Sequence, residues 1–269
     1  MSGAGVPTAR ADYGLDAPGV VRNLFCVAGA GLVLAILRAA GVWSGRLTIG
    51  PVGGVTLAFP LATMGAWAGV SCAAMGIWMV WSSRVGKVRE RERLLDTIPW
   101  TGGERVLDVG CGRGLMMIGA ARRLTPAGGG RAVGVDIWQA EDLSGNRPEA
   151  TLENARLEGV LDRVEVKTAD MRKLPFDDAS FDAVVSSKAI HNVYSKDGRA
   201  EAIREIARVL KPGGRALIDD IRHGSEYAAT FVSAGCRDVR RLDSRAASAF
   251  LALVTVGSLR PATLLARKG

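Results

Sequence analysis

Charge is missing from one long stretch of this 269-residue chain: no Asp, Glu, Lys, Arg or His occurs from Leu47 to Ser83. A shorter gap runs from Asn23 to Leu37. A surface helix of a soluble domain needs a polar face, which neither stretch can supply. Cysteine is scarce too, with Cys26, Cys72, Cys111 and Cys236 the whole set. None forms a C-x-x-C pair, so neither a zinc site nor a disulfide framework is expected. No metal site of another kind stands out, and a reducing compartment is the simplest setting. Only two histidines are present, His191 and His223. There is no internal repeat.

What is abundant is positive charge, a formal net of +8. Nucleic acid is one partner that such a balance suits. The positions argue against it. Arg84, Lys87, Arg89, Arg91 and Arg93 follow the longer apolar run directly, where a segment leaving a bilayer carries them. No nucleic-acid role is expected.

The run 61-LATMGAWAGVSCAAMGIWMVWSS-83 is long enough to span a hydrocarbon core of roughly 30 Å as a helix. Trp78 and Trp81 near its end suit an interface. Pro51, Gly53, Gly54 and Pro60 before it read as a turn or a bent helix start. The earlier run, 20-VVRNLFCVAGAGLVLAILRAAGVW-43, has a short charge-free centre, which Arg22 and Arg38 can lengthen by reaching for opposite interfaces. Gly31 and Ala35 offer a small face to the second helix. Gly65 and Gly69 form a small-xxx-small pair, a face that a second copy of the chain can also use. The rival readings are a signal peptide, which lacks a persuasive cleavage site, and a buried helical hairpin.

The expected order is therefore an N-terminal tail and transmembrane hairpin over 1–83, with helices at about 20–43 and 56–83. A basic juxtamembrane helix follows over 84–98, then a catalytic domain over 99–269. The placement of Lys and Arg puts both termini, and so the catalytic domain, on the cytoplasmic face of the membrane.

The second half alternates short apolar runs with helical patterns. The runs are 105-RVLDV-109, 131-RAVGVD-136, 163-RVEVKT-168, 181-FDAVVSS-187, 215-RALIDD-220 and 261-PATLLARK-268. Helical patterns occupy 115–124, 148–158 and 198–210, the last stopped by 211-KPGG-214. Such alternation implies an α/β fold with a parallel sheet covered on both faces.

Between the first run and the first helix lies 108-DVGCGRG-114. A dinucleotide turn has G-x-G-x-x-G spacing, and here the third glycine comes one place early. Glycines let the backbone turn sharply and approach a ligand closely. Asp108 at the head of the turn would repel a pyrophosphate and suits a ligand with a positive amino group. Asp136, ending the next run, is placed to accept from both hydroxyls of a ribose. Asp170 can accept from an exocyclic amine, and Met171 can pack on its ring. An amino acid end, a ribose and an adenine together describe S-adenosylmethionine. The bland alternative for any one of these residues is a turn or a helix cap.

With 106-VLDVGCGRG-114, 133-VGVDI-137, 168-TADMRKLPF-176, 180-SFDAVVSS-187 and 205-EIARVLKPGGRALI-218 in order, the chain resembles a class I S-adenosylmethionine-dependent methyltransferase from about residue 86 to its end. 190-IHNV-193 and the KPGG turn look most like the ubiquinone/menaquinone C-methyltransferase branch, which does not normally carry an N-terminal membrane hairpin. The resemblance implies a Rossmann-like seven-stranded sheet, mostly parallel with one antiparallel strand. It implies that Asp108, Gly110, Cys111, Gly112 and Gly114 turn around the methionine part of the cofactor. Asp136 then takes the ribose, Ile137 the adenine, Asp170 and Met171 the adenine edge and face. Ser186 and Ser187 end a strand beside the sulfonium.

Methyl transfer to an alcohol or an acidic carbon needs a base. His191 follows the fourth parallel run at the sheet edge where such folds bind ligands, so it is the candidate, with a loop-orienting role as the alternative. Asp219, Asp220 and His223 after the fifth run are candidates to line the acceptor pocket, with a loop salt bridge to Arg222 the plainer reading. The expected function is a membrane-anchored methyltransferase acting on a lipophilic or membrane-presented acceptor. The alternatives are a tethered enzyme with a small soluble acceptor and a non-catalytic S-adenosylmethionine-binding assembly protein.

Overall fold

A computed structural model describes residues 10–52, 55–139, 141–255, 257 and 259–269. Contacts along the chain divide it into two units. One contains 14–87 and 141–144; the other contains 10–13, 88–139 and 145–269. The division falls after Lys87 rather than at residue 83, and residues 10–13 part from the hairpin they precede. The tail before residue 10, and Gly53 and Gly54 of the expected turn, lie outside the described residues.

The smaller unit is built on helix α1 (Pro18–Ala39), strands β1 (Leu47–Val52) and β2 (Val55–Phe59), and helix α2 (Leu61–Trp81). Pro18 starts α1 where its missing N–H costs nothing. The two strands pair antiparallel, Leu47 opposite Phe59. This corrects the expectation that α2 begins near residue 56: the β-branched and aromatic residues of 47–59 form a hairpin instead. The helices pack through glycine. A Cβ on Gly31 would lie 2.2 Å from the Gly65 carbonyl oxygen and 3.0 Å from Gly69 Cα. Phe25 fills the gap at Gly76. The Gly65/Gly69 face, read as available to a second copy, is thus occupied by α1 of the same chain. Large apolar residues point outward instead, Trp67 at 72% exposure and Leu32 at 61%. At the base of the unit Lys87 Nζ donates to the Gly14 carbonyl (2.7 Å) and to Asp16 Oδ1 (3.0 Å). The Ala17 N–H donates to the Asp142 carbonyl at 3.1 Å.

The larger unit opens with α3 (Lys87–Leu95), which enters it at Val88 and follows a π-helical turn at Ser82–Gly86. Strands β3 (Arg105–Val109), β4 (Arg131–Asp136), β5 (Val164–Thr168), β6 (Phe181–Ser187), β7 (Leu210–Asp220), β8 (Cys236–Arg241) and β9 (Ala262–Lys268) form one sheet in the order β5-β4-β3-β6-β7-β9-β8. Only β9 runs against the others. The sheet is the Rossmann-like, mostly parallel seven-stranded arrangement expected. Between strands come α4 (Leu115–Ala121), α5 (Pro148–Leu157), α6 (Lys196–Val209), α7 (Gly224–Ser233) and α8 (Arg245–Val254).

Both faces of the sheet are covered, so its central strands are apolar on both sides. Leu107, Val109, Val133 and Val135 face Ile203, Ile206 and Phe231 of α6 and α7. Val106, Ala132 and Val185 face Leu95, Met117, Ile118 and Ala155 of α3, α4 and α5. The alternation 106/107 leaves Asp108 on the α4 side. The strand order reverses beside β3, where β4 lies on one side and β6 on the other. Ligands of open α/β sheets bind at the carboxyl ends of the strands at such a point.

Candidate functional site

The glycine turn is shaped by its backbone. Gly110, Gly112 and Gly114 have φ of 72°, 52° and 85°, a region that a Cβ disfavours. A Cβ on Gly110 would also stand 2.3 Å from Ala189 Cβ, with Met171 Cε at 3.5 Å. The turn after β3, the loop after β5 and the loop after β6 therefore meet at Gly110.

Asp108 is buried, and its Oδ2 accepts from the Met117 N–H at 2.8 Å. It thereby caps α4, taking one of the helix-start donors that the sequence left free for a ligand. Its Oδ1 has no hydrogen-bond partner among the described residues. Burial pushes its carboxyl up to about 7, with the Asp136 charge adding to the shift. An unpartnered carboxylate oxygen in that position favours a nearby cation.

Asp136 is held differently. Oδ2 accepts from the Gly112 N–H (2.8 Å), and Oδ1 from the Trp138 N–H (2.6 Å) and Asn146 Nδ2 (3.2 Å). It ties the glycine turn to the end of β4. Thr151 and Asn154 of α5 complete the support: the Thr151 hydroxyl donates to the Gly112 carbonyl (2.7 Å), and Asn154 Nδ2 to that of Arg113 (3.0 Å). The sequence reading missed Asn146, Thr151 and Asn154. Thr151 and Asn154 left a signal, as polar side chains on the inward face of α5 beside Ala150 and Ala155; Asn146, in the loop before α5, left none.

Other candidates divide by where their side chains go. Ile137 is half exposed beyond β4. Met171 packs against the core beside Gly110. Asp170 is chelated by Arg172, whose Nε lies 3.0 Å from each carboxylate oxygen, and this pairing holds its carboxyl below the usual range. Cys111 faces inward under Gly134, and burial pushes its thiol up, so only its backbone borders the turn. Ser186 likewise turns inward, its hydroxyl donating to the Val109 carbonyl at 2.7 Å as a tie between β6 and β3. Ser187 donates to Asp219 Oδ2 at 3.3 Å.

His191 lies in a 3-10 turn, Ile190–Asn192, just after β6. Its Nδ1 is 2.6 Å from Asp220 Oδ1, and its backbone N–H donates to Asp220 Oδ2 at 3.0 Å. Asp220, at the end of β7, is buried. It also accepts from the Ile221 N–H (2.8 Å) and the Tyr227 hydroxyl (3.2 Å). Burial and the Asp220 charge raise the Tyr227 phenol, keeping it a donor. With donors converging on both oxygens, Asp220 acts as acceptor throughout. An acceptor facing Nδ1 favours the tautomer that carries its proton there, which leaves Nε2 to accept. Four protein groups thus surround the Asp220 carboxylate at the sheet edge where the acceptor pocket is expected. Asp219 is also turned to the protein, accepting from the Thr263 hydroxyl at 2.8 Å, and burial raises its carboxyl. His223 caps α7 and pairs with Glu226 at 3.1 Å.

Three non-glycine residues after these strand ends adopt positive φ: Trp138 (63°) after β4, Lys188 (53°) after β6 and His223 (62°) after β7. Each costs about 1–2 kcal/mol, and such strain concentrates at functional sites. Of the six described non-glycine residues at positive φ, these three lie at the carboxyl edge of the sheet, and Ala17, Ala179 and Asp238 lie elsewhere.

Residues 107–218 match a family described as methyltransferase domain. "Methyltransferase GfsG" of Streptomyces halstedii is 37% identical over 133 residues, 49% of this chain and 43% of its own length. The ubiquinone/menaquinone biosynthesis C-methyltransferase UbiE of Geobacter sulfurreducens is 35% identical over 130 residues, covering 48% and 46%. The chain thus spans under half the length of both curated relatives. A crystal structure of geranyl diphosphate C-methyltransferase from Streptomyces coelicolor, in complex with Mg2+, geranyl diphosphate and S-adenosyl-L-homocysteine, superposes with a TM-score of 0.51 at 20% identity. It covers 67% of this chain and 79% of that one, a likeness of fold.

Proposed function

We propose that this chain, whose residues 107–218 match a methyltransferase domain, is a class I S-adenosylmethionine-dependent methyltransferase that deprotonates and methylates a lipophilic acceptor while anchored in a membrane. S-adenosylmethionine is the cofactor. The residues fit it in two respects: Asp108 Oδ1 is buried without a partner, and the glycine turn leaves no room for side chains. Asp108 and the turn would hold its methionine part. Asp136, with Ile137, Asp170 and Met171, would hold the nucleoside, and Ser187 would border the reacting end. When bound, the cofactor supplies an electrophilic methyl group on sulfur.

The observation that carries the reading is the 2.6 Å contact between His191 Nδ1 and Asp220. A base oriented by a buried carboxylate is the arrangement that activates a nucleophile. His191 Nε2 takes the proton of a hydroxyl or an acidic carbon of the acceptor. The deprotonated acceptor would then be the nucleophile for the methyl group that the bound cofactor supplies. Asp220 stabilises the imidazolium that results. His191→Gln should leave cofactor affinity nearly intact and slow transfer by roughly 10²–10⁴-fold. Calorimetry with S-adenosylmethionine and single-turnover transfer to membranes measure the two. A wild-type rate in this variant would remove the base.

Membrane anchoring is supported by α1 and by the helix starting at Leu61, both long and apolar enough to cross a bilayer. Only 11% of each apolar window is buried in the protein, whereas a core helix or a buried hairpin would be mostly covered. With basic residues following α2, the catalytic part lies on the cytoplasmic side. An anchored enzyme meets an acceptor concentrated in the leaflet at a raised effective concentration. Incubating membranes with labelled S-adenosylmethionine and partitioning the label tests this: label in the aqueous phase alone would indicate a soluble acceptor.

A further inference from the structure

Arg199 sits on the buried face of α6, at helical spacing with Ile203 and Ile206, and is 6% exposed. A guanidinium there is costly unless its donors are used. Nη1 donates to the carbonyls of Val193 (3.0 Å) and Tyr194 (2.8 Å). Nη2 donates to Glu226 Oε2 at 2.9 Å. Val193 and Tyr194 directly follow the turn that carries His191, and the Val193 N–H closes that turn on the Ile190 carbonyl at 3.1 Å. Glu226 precedes Tyr227, whose hydroxyl donates to Asp220. One buried cation therefore joins the segment bearing the histidine to the helix that supports its carboxylate.

We propose that Arg199 is a positioning residue: it holds the 190–194 segment so that His191 Nδ1 stays on Asp220 and Nε2 stays free to accept. This rests on the reading of His191 as the base. The two carbonyls it binds belong to a loop outside the sheet, so their restraint comes from this side chain. Lysine would carry the charge but not the fork that spans two carbonyls and a carboxylate. A displacement of about 1 Å at a catalytic group is enough to cost on the order of 10²-fold in rate.

The chain has only two histidines, so the full-length protein in detergent micelles, labelled with 15N-histidine, gives two imidazole spectra. His191→Gln assigns them. Wild-type His191 is expected as the Nδ1–H tautomer. In Arg199→Met the ring should sample both tautomers, and Arg199→Lys should fall between. S-adenosylmethionine affinity by calorimetry should stay close to wild type in both. If Arg199→Met does not fold, Glu226→Gln, which alters a partly exposed side chain, should shift the same tautomer balance by less. A wild-type tautomer in both Arg199→Lys and Glu226→Gln overturns the positioning role. Loss of transfer in His191→Gln alongside that result would sink positioning alone and leave the base. A shifted tautomer with full transfer in His191→Gln would sink the base and leave the positioning.

Discussion

Glycine serves opposite purposes in the two units. In the hairpin, Gly31, Gly65 and Gly69 sit in helices and matter for what they lack: a Cβ on Gly31 or Gly69 would crowd the facing backbone, and one on Gly65 the Leu34 side chain. In the sheet unit, Gly110, Gly112 and Gly114 matter for the conformation they permit, with φ from 52° to 85°. Large apolar residues reverse as well. The hairpin exposes Trp67 and Leu32, while the sheet unit buries Phe181, Phe231 and Leu107 completely. One unit leaves its large apolar side chains on its surface, and the other encloses them.

The sharpest way to break this comparison is a crossed pair of substitutions. Gly110→Ala meets both a positive φ and Ala189, a penalty of roughly 2–5 kcal/mol. S-adenosylmethionine affinity should fall at least about tenfold, with the hairpin helices intact by a disulfide engineered across them. Gly31→Ala should do the reverse, parting the helices and sparing cofactor affinity. If both variants lose cofactor binding alike, the two glycine sets are not separate in function.

Next in size is the pH dependence of Asp108. Its folded carboxyl titrates at about 7, against 3.8 for the ordinary group. A raised folded value means the stability is present below pH 4 and is lost as pH rises towards 7. Asp108→Asn should therefore match the wild type near pH 4 and exceed its Tm by several degrees above pH 7, without cofactor. Parallel Tm curves would show that Asp108 is not a burdened carboxyl.

A smaller effect is expected at Asp136. The sheet unit secures its turn with several polar ties, where the hairpin helices pack through glycine and add a hydrogen bond from Arg38 to Thr63. Asp136→Ala should weaken cofactor binding by roughly 1.5–3 kcal/mol. Because Gly112 N–H loses its acceptor, amide exchange at Gly112 should also quicken. Lost affinity with unchanged exchange would mean that Asp136 acts on the ligand only.

The parallel core was legible because its signals are local: alternating runs, a glycine turn and the KPGG break after α6. β1 and β2 were not, because 47–59 has neither polar alternation nor charge to mark a face. β8 escaped because CRDVRR reads as a charged loop; as an edge strand it can carry that charge. At the site, the position of His191 was legible from its place after β6. Its contact with Asp220 was not, since that depends on β7, α7 and the 190 turn coming together. Arg199 left a readable trace, a charge at i with Ile203 at i+4 and Ile206 at i+7. Its meaning depended on carbonyls five and six residues earlier, in a loop no pattern describes.

The antiparallel strand has a consequence for assembly order. β9 lies between β7 and β8, though it follows both in the chain. Among the described residues β8 pairs with no other strand, so its place in the sheet depends on β9. β9 also brings Thr263, the partner of Asp219 at the carboxyl edge of the sheet. The sheet is thus closed by a late keystone: a nascent chain that stops before residue 262 would lack two strands of seven while already displaying its apolar hairpin.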